Sequence, residues 1–372
     1  MRIIRDLFSA RHRRAAVALV LAALAPAAVA PAPALASIAP PKLSVPSATL
    51  TTMQGVPLWS KNPTAKRRVA SDIKMLTALV VRDHTQLDDV VVVPKAAAKV
   101  SSGGVGLVPG QKLTVRQLLN IMLIPSANDA AVALAIHVGG TQSHFVAMMN
   151  AKAKAIGCKH THAMDPNGLG KHETSTASDL AVIARHLMAD YQLRKIVGRT
   201  SVVVPRPNGK SSTYHSTDQL LGHYAGMEGT KTGFTNPAGY CFVGSCKRGG
   251  VELVGVVLGA KSNSGRFSQM RKLLNWGFAH THVRRLVSAG ATLGVEPVSH
   301  GVDTSVAVCA SREASAAVLD GAAAPTFALH VQTPIAAPVS ASEVVGTVDV
   351  CARGCFVESM TVTAARSVAA AP

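Results

Sequence analysis

Apolar residues at Met75, Leu76, Leu79 and Val80 recur at helical spacing, so a helix is expected to open at Ser71. The stretch before it, Leu43 to Trp59, reads as extended. Thr114 and Gln117 have the spacing of a capping box, which opens a second helix that Pro125 stops. A third helix is expected after Asn128, running from Asp129 to Gly139-Gly140, and a fourth from about Phe145 to Ile156, stopped by Gly157. Another follows Ser178-Asp179. After residue 200 the runs become short and β-branched: Ser201 to Val204, Tyr240 to Ser245 and Val251 to Leu258. The last two, joined by Lys247-Arg248-Gly249-Gly250, predict an antiparallel hairpin buried on both faces. A final helix from Phe267 to Phe278 places Met270, Leu273, Leu274 and Phe278 on one face. Beyond Arg285 only alternating runs remain, at Val306 to Val308, Phe327 to Val331 and Val348 to Val350. The fold class is therefore α+β: helices around an antiparallel sheet, followed by a small all-β domain.

At 372 residues and 48% hydrophobic, the chain has enough apolar side chains for a full core, which excludes a disordered protein. Residues 1–36 change the picture of where it works. Arg2, Arg5, Arg11, Arg13 and Arg14 precede an uncharged apolar run from Ala15 to Ala30 and the small-residue stretch Ala34-Leu35-Ala36, the pattern of an export signal. Pro26, Pro31 and Pro33 interrupt that run, which falls short of the roughly 20 residues needed to span a bilayer. Its removal lowers the net charge from +18 to +14, so an anionic partner is expected. Nucleic acid is disfavoured by export and by scattered basic groups, such as Lys66-Arg67-Arg68, that lack interleaved aromatics. A wall polyanion or an anionic membrane surface fits better. The six cysteines, an even count, suit an oxidising compartment. Cys351 and Cys355 flank a hairpin-like Ala-Arg-Gly, which leaves open a local disulfide, a bridge to Cys309, or free buried thiols. No set of histidines and carboxylates has metal-ligand spacing, so neither a metal nor a cofactor is expected.

Three short motifs carry the candidate chemistry: Ser71-Asp72-Ile73-Lys74, Ser126-Ala127-Asn128 and Lys231-Thr232-Gly233. Each alone has a structural reading, as a helix cap, a loop cap after proline and a strand start. Together and in this order they match the signature of penicillin-recognising serine enzymes. The chemistry explains the spacing. Positions i and i+3 share a helix face, so Lys74 reaches back to the Ser71 hydroxyl, which sits at the positive end of the helix dipole. A serine needs a base, and a lysine serves only when neutral; burial and the nearby Lys231 cation both favour the neutral amine. Ser126 is placed to relay the proton to the leaving group, and Asn128 to hold Lys74 and a substrate carbonyl. The amides of Ser71 and Phe234 are candidates for an oxyanion hole.

The surrounding residues resemble those of the D-alanyl-D-alanine carboxypeptidases, the low-molecular-mass penicillin-binding proteins. The resemblance rests on Leu58-Trp-Ser-Lys-Asn62, Ala70-Ser-Asp-Ile-Lys-Met-Leu-Thr-Ala78, Pro125-Ser-Ala-Asn-Asp-Ala-Ala131, Asp165-Pro-Asn-Gly-Leu169, Gly229-Thr-Lys-Thr-Gly233 and Val256-Val-Leu-Gly-Ala260. It implies a β-lactamase/transpeptidase-like fold, an acyl-enzyme on Ser71, and removal of a terminal D-Ala from peptidoglycan stem peptides, with β-lactams as covalent inhibitors. It further implies that Lys231, Thr232, Gly233 and Phe234 line the substrate, and that Arg266 helps bind the terminal carboxylate. The tail resembles the family's C-terminal β domain, with Glu343-Val-Val-Gly-Thr-Val348 its best fragment. Ile73 stands where the family usually has Thr, and Phe234 where a His is frequent. The family's amphipathic C-terminal membrane helix has no counterpart, which leads to an expectation of secretion or wall association.

The expected organisation is a signal peptide over 1–36, a catalytic domain over 37–284, a β-rich domain over 285–366 and a tail over 367–372. Three alternatives share the residues. A β-lactamase would need a carboxylate to activate water on the acyl-enzyme, and Glu173 is the acid of that segment able to try. A DD-endopeptidase would use the same constellation on cross-links, and a non-catalytic wall-binding protein would retain only the fold.

Overall fold

The computed structural model describes residues 38–100 and 102–372, so the segment read as a leader lies outside the described residues. The extended stretch after Leu43 forms two paired strands, β1 (Ser47–Thr52) and β2 (Pro57–Lys61). A 3-10 turn, Ala70–Ile73, leads directly into α1 (Lys74–His84), so the expected helix start is tighter wound than an α-helix. The short pieces β3 (Val90–Val92), α2 (Lys95–Ala98) and β4 (Lys112–Thr114) precede α3 (Val115–Leu123). There Thr114 Oγ1 accepts from the Gln117 amide and the Gln117 side chain accepts from the Thr114 amide, the capping box read from sequence.

The helical layer continues with α4 (Asn128–Gly139), α5 (Gln142–Ala155), α6 (Ala177–Ala189) and α7 (Tyr191–Val197). Two starts differ from the sequence reading for one reason: a threonine side chain caps earlier than the apolar pattern begins. Thr141 Oγ1 accepts from the His144 amide, and Thr176 Oγ1 from the Asp179 amide. A two-stranded hairpin follows, β5 (Ser201–Pro205) with β6 (Ser211–His215); the second strand is too polar to have signalled itself.

The main sheet is completed by β7 (Met227–Thr235), β8 (Gly239–Arg248) and β9 (Val251–Ala260), in the order β2-β1-β9-β8-β7, every pairing antiparallel. Its central strands are buried on both faces. Val243, Val254 and Val256 belong to the core shared with α1, α4 and α6, while Phe242, Leu253 and Val257 pack with Met270, Leu273 and Leu274 of α8 (Asn263–His280). Period-two alternation between two apolar layers is why these strands read as continuous hydrophobic runs.

The β strands beyond α8 are β10 (Thr281–Val287), β11 (Thr292–Ser299), β12 (Ser305–Ala310), β13 (Ala314–Leu319), β14 (Thr326–Val331), β15 (Ile335–Ala336), β16 (Val344–Ala352) and β17 (Cys355–Ala364). Six of them form one sheet in the order β14-β16-β17-β12-β11-β15, and β10 pairs with β13; the expected line between residues 284 and 285 falls inside β10. Cys351 and Cys355 flank the tip of the β16–β17 hairpin, and all six cysteines are free thiols. Among the described residues no helix is long and apolar enough to cross a membrane.

Candidate active site

The three motifs converge where the 3-10 turn packs against β7 and α4 begins. Ser71 lies in that turn, and its neighbour Ala70 holds a positive φ of 51°. Ser126 also holds a positive φ, 67°, in the short link between α3 and α4. Two non-glycine residues in the left-handed region at one site are backbone strain that the surrounding contacts maintain.

Lys74 is fully buried, and its Nζ lies 2.8 Å from Ser71 Oγ, 2.5 Å from Asn128 Oδ1, 2.9 Å from the Asn167 carbonyl and 3.4 Å from Ser126 Oγ. Asn128 has its amide orientation fixed, because Nδ2 donates to the Ser102 carbonyl at 2.8 Å. The Lys74 amine therefore faces two groups that only accept, Asn128 Oδ1 and the Asn167 carbonyl. A neutral amine has two N–H donors and one lone pair. With both donors committed, the lone pair is left for the hydroxyl of Ser71. Burial, and next the charge of Lys231, hold Lys74 well below the ordinary lysine range, against opposing pulls from Asp165, Glu173 and Asp129.

Lys231, on β7, is also buried; its Nζ donates to Ser126 Oγ at 2.8 Å and to the Thr232 carbonyl at 2.7 Å. Ser126 thus stands between the two lysines. Thr232 Oγ1 donates to Thr217 Oγ1 at 2.7 Å, a partner that carried no sequence signal. Gly233 passes so close to the 3-10 turn that a Cβ there would sit 2.6 Å from the Val69 carbonyl and 3.1 Å from the Ser71 amide, so glycine is required by the approach. Phe234 is half exposed and stacks on Tyr240 with ring centroids 4.2 Å apart. Ile73 points the other way, fully buried in the helical core. Arg266 lies behind the strand: its Nη1 donates to the carbonyls of Gly233 at 3.0 Å and Cys241 at 3.2 Å, and its guanidinium lies over Phe267.

Several site residues had no assigned role in the sequence reading. Asp165 Oδ1 accepts from the amides of Asn167 at 2.9 Å and Gly168 at 2.6 Å, while the buried Thr77 donates to the Pro166 carbonyl at 2.7 Å. These bonds present the Asn167 carbonyl to Lys74. The Asp-Pro-Asn-Gly run is a turn signal that could have located it. Asp129 Oδ2 accepts from the amides of Gly106 and Leu107, tethering to α4 the loop whose Ser102 carbonyl orients Asn128. Asp72 is fully buried and neither of its oxygens accepts a hydrogen bond. Glu173 is likewise buried without a partner, and the group of that segment that meets both Ser71 and Lys74 is the Asn167 carbonyl.

An antiparallel sheet flanked by helices, with serine and lysine at a helix start, a second serine between two lysines and a Lys-Thr-Gly edge strand, defines a penicillin-recognising serine enzyme. Within that class the sequence profile described as D-alanyl-D-alanine carboxypeptidase matches residues 37–262, and the chain belongs to this family of serine peptidases. It is 32% identical over 313 residues to the D-alanyl-D-alanine carboxypeptidase DacC of Escherichia coli, covering 79% of this chain and 76% of that one. It is 31% identical over 253 residues to the D-alanyl-D-alanine carboxypeptidase DacF of Bacillus subtilis, spanning 65% of that relative's length. Penicillin binding protein 5 from Haemophilus influenzae superposes with a TM-score of 0.72 at 26% identity, covering 90% of this chain and all of that one.

Proposed function

We propose that this protein is a D-Ala-D-Ala carboxypeptidase that removes the terminal D-alanine from peptidoglycan stem peptides through an ester on Ser71. The observation that carries the reading is the Lys74 amine, 2.8 Å from Ser71 Oγ with its other close partners both acceptors. Neutral Lys74 takes the hydroxyl proton as Ser71 Oγ bonds to the carbonyl carbon of the penultimate D-Ala. The oxyanion is held by the amides of Ser71 and Phe234. Ser126 passes the proton from Lys74 to the leaving nitrogen, and Lys231 lowers the cost of that transfer by holding Ser126. The C–N bond breaks, D-alanine leaves, and water then cleaves the ester with Lys74 again accepting a proton. A β-lactam carbonyl enters by the same first step. Asn128 steers Lys74, while Thr232 and Gly233 recognise the substrate end that bears the carboxylate, and Arg266 supports them from behind the strand by holding the Gly233 carbonyl.

The reading includes export by residues 1–36, work outside the cytoplasm, and a division into a catalytic domain over 37–284 and a β domain over 285–366. A net charge of +14 after removal of residues 1–36 supports attraction to an anionic wall polymer or membrane face. The test is incubation of the purified chain with a peptide ending in D-Ala-D-Ala, with and without penicillin, following free D-alanine and the mass of the Ser71 peptide. Release of D-alanine that stops as penicillin adds to Ser71 is the expected result. Rapid penicillin destruction, or labelling elsewhere, contradicts it.

A further inference from the structure

Nothing in the pairing of Ser71 with Lys74 requires an acid between them, yet Asp72 is one, fully buried and with neither oxygen hydrogen-bonded. The 3-10 turn sets its direction. The Asp72 amide donates to the Val69 carbonyl at 3.2 Å, and Gly233 of β7 passes against that same carbonyl. Ser71 is thereby presented to Lys74, while the Asp72 carboxyl lies beneath the strand. Groups from four elements surround it there: Lys231 on β7, Arg266 on α8, Lys74 on α1 and the Cys241 thiol on β8.

Two of those groups are buried cations that lack a charged hydrogen-bond partner. Lys231 Nζ gives two of its three ammonium donors to Ser126 Oγ and the Thr232 carbonyl. Arg266 gives Nη1 to the carbonyls of Gly233 and Cys241, and its buried Nε has no acceptor. Asp165, Glu173 and Asp129 gather at Lys74, whereas the acid that acts on Lys231 is Asp72. Arg266 also faces Asp218 and the Tyr240 phenol, and Arg67 lies near Cys241, whose thiol burial pushes up to about 12, so that it is uncharged at neutral pH. Desolvation favours a neutral amine, and a second cation favours it further, so a nearby negative charge is what holds Lys231 as an ammonium. A buried carboxyl without a hydrogen-bond partner lowers stability, and such costs concentrate where a reaction uses them.

We propose that Asp72 is a positioning residue for the carboxylate end of the substrate: a counter-ion behind β7 that keeps Lys231 an ammonium in the empty site. The inference rests on the carboxypeptidase reading and adds the group that sustains the charge of its binding strand. Thr232 and Gly233 follow Lys231 on β7, so the ammonium lies beside the carboxylate they recognise. Burial brings Asp72 up to about 7 and Lys231 down to about 8, the latter against the pull of Asp72 and with the push of Arg266. The two titrate as one unit. At low pH Asp72 is a neutral acid with no hold on Lys231; as pH rises it ionises first, and its charge then retains the lysine proton.

The test is the preference of the full chain for a penicillin over the methyl ester of the same penicillin, from pH 6 to pH 8.5. It is read as the ratio of the two second-order rate constants for acylating Ser71, in which changes at Lys74 cancel because both compounds use it. The wild-type chain is expected to prefer the acid. Asp72→Asn is expected to match that preference at pH 6 and to fall about tenfold below it by pH 8.5, because an adjacent opposite charge moves a titrating group by roughly one unit or more. The KM for a peptide ending in D-Ala-D-Ala is expected to rise by the same factor over the same window. Asp72→Ser, smaller and also uncharged, gives the same pH dependence, which separates loss of charge from loss of shape. A variant preference that differs from wild type by one factor at every pH, or a wild-type chain with no preference for the acid, overturns the counter-ion and leaves the carboxypeptidase reading to its own test of D-alanine release. No penicillin on Ser71 of the wild-type chain overturns both.

Discussion

Asn128 Oδ1 accepts from Lys74 Nζ at 2.5 Å while Asn128 Nδ2 donates to the Ser102 carbonyl, so one side-chain amide fixes the direction of the lysine lone pair. Asn128→Asp replaces that acceptor with a charge and removes the donor. A carboxylate at this distance stabilises the ammonium form, so Lys74 shifts toward its ordinary range and is charged at neutral pH. Penicillin acylation at pH 7 is expected to fall by about 10²–10⁴-fold, the worth of a positioned base, with partial recovery at high pH. Acylation within threefold of wild type at pH 7 would contradict this role.

Gly168 has φ +92°, and a Cβ there would lie 2.2 Å from the Ala70 carbonyl and 2.7 Å from the Ser71 amide. No rotamer relieves a clash with backbone, so Gly168→Ala must displace the turn that carries Ser71. A displacement near 1 Å is worth about 10²-fold in rate. The expected outcome is that much slower acylation with an unchanged circular dichroism spectrum; a rate within twofold would show that this contact does not set the serine.

Asp72 is surrounded by Lys231 on β7, Arg266 on α8, Lys74 on α1 and the Cys241 thiol on β8. Burial outweighs the three cations and pushes its carboxyl up to about 7 from an ordinary 3.8. The sign follows from linkage. Between those values the unfolded chain has released a proton that the folded chain still holds, so this group lowers stability as pH rises through that window. Asp72→Asn keeps the shape of the neutral acid and removes the titration. Its melting temperature is expected to gain on wild type progressively as pH rises from 3.8 to about 7 and to level off above it; a difference independent of pH would contradict the account.

The parts of this site visible in the sequence are those where a side chain does the chemistry. Ser71, Lys74, Ser126 and Lys231 announce themselves by type and spacing, and the structure brings them within hydrogen-bond reach of one another. The hairpin of β8 and β9 was equally legible, because both its faces meet apolar layers. β7 carries only a weak strand pattern, since its buried positions include Thr230, Lys231 and Thr232, polar residues kept for the site. The Asn167 carbonyl has no side-chain signature at all, and Thr217 reaches Thr232 across a chain separation that no local pattern encodes. Asp72 sits within a motif yet faces away from Ser71, toward β7 and α8, and only the packing of the 3-10 turn on β7 reveals it.

The central claim is that a neutral Lys74 activates Ser71, and single-turnover acylation by a penicillin, followed from pH 6 to pH 9, tests it most directly. The rate is expected to rise with pH along a limb whose midpoint lies well below the ordinary lysine value of 10.5, and Lys231→Gln is expected to move that midpoint upward by removing the neighbouring cation. A profile that stays flat across this range in the wild-type chain, with acylation rate-limiting, would contradict it.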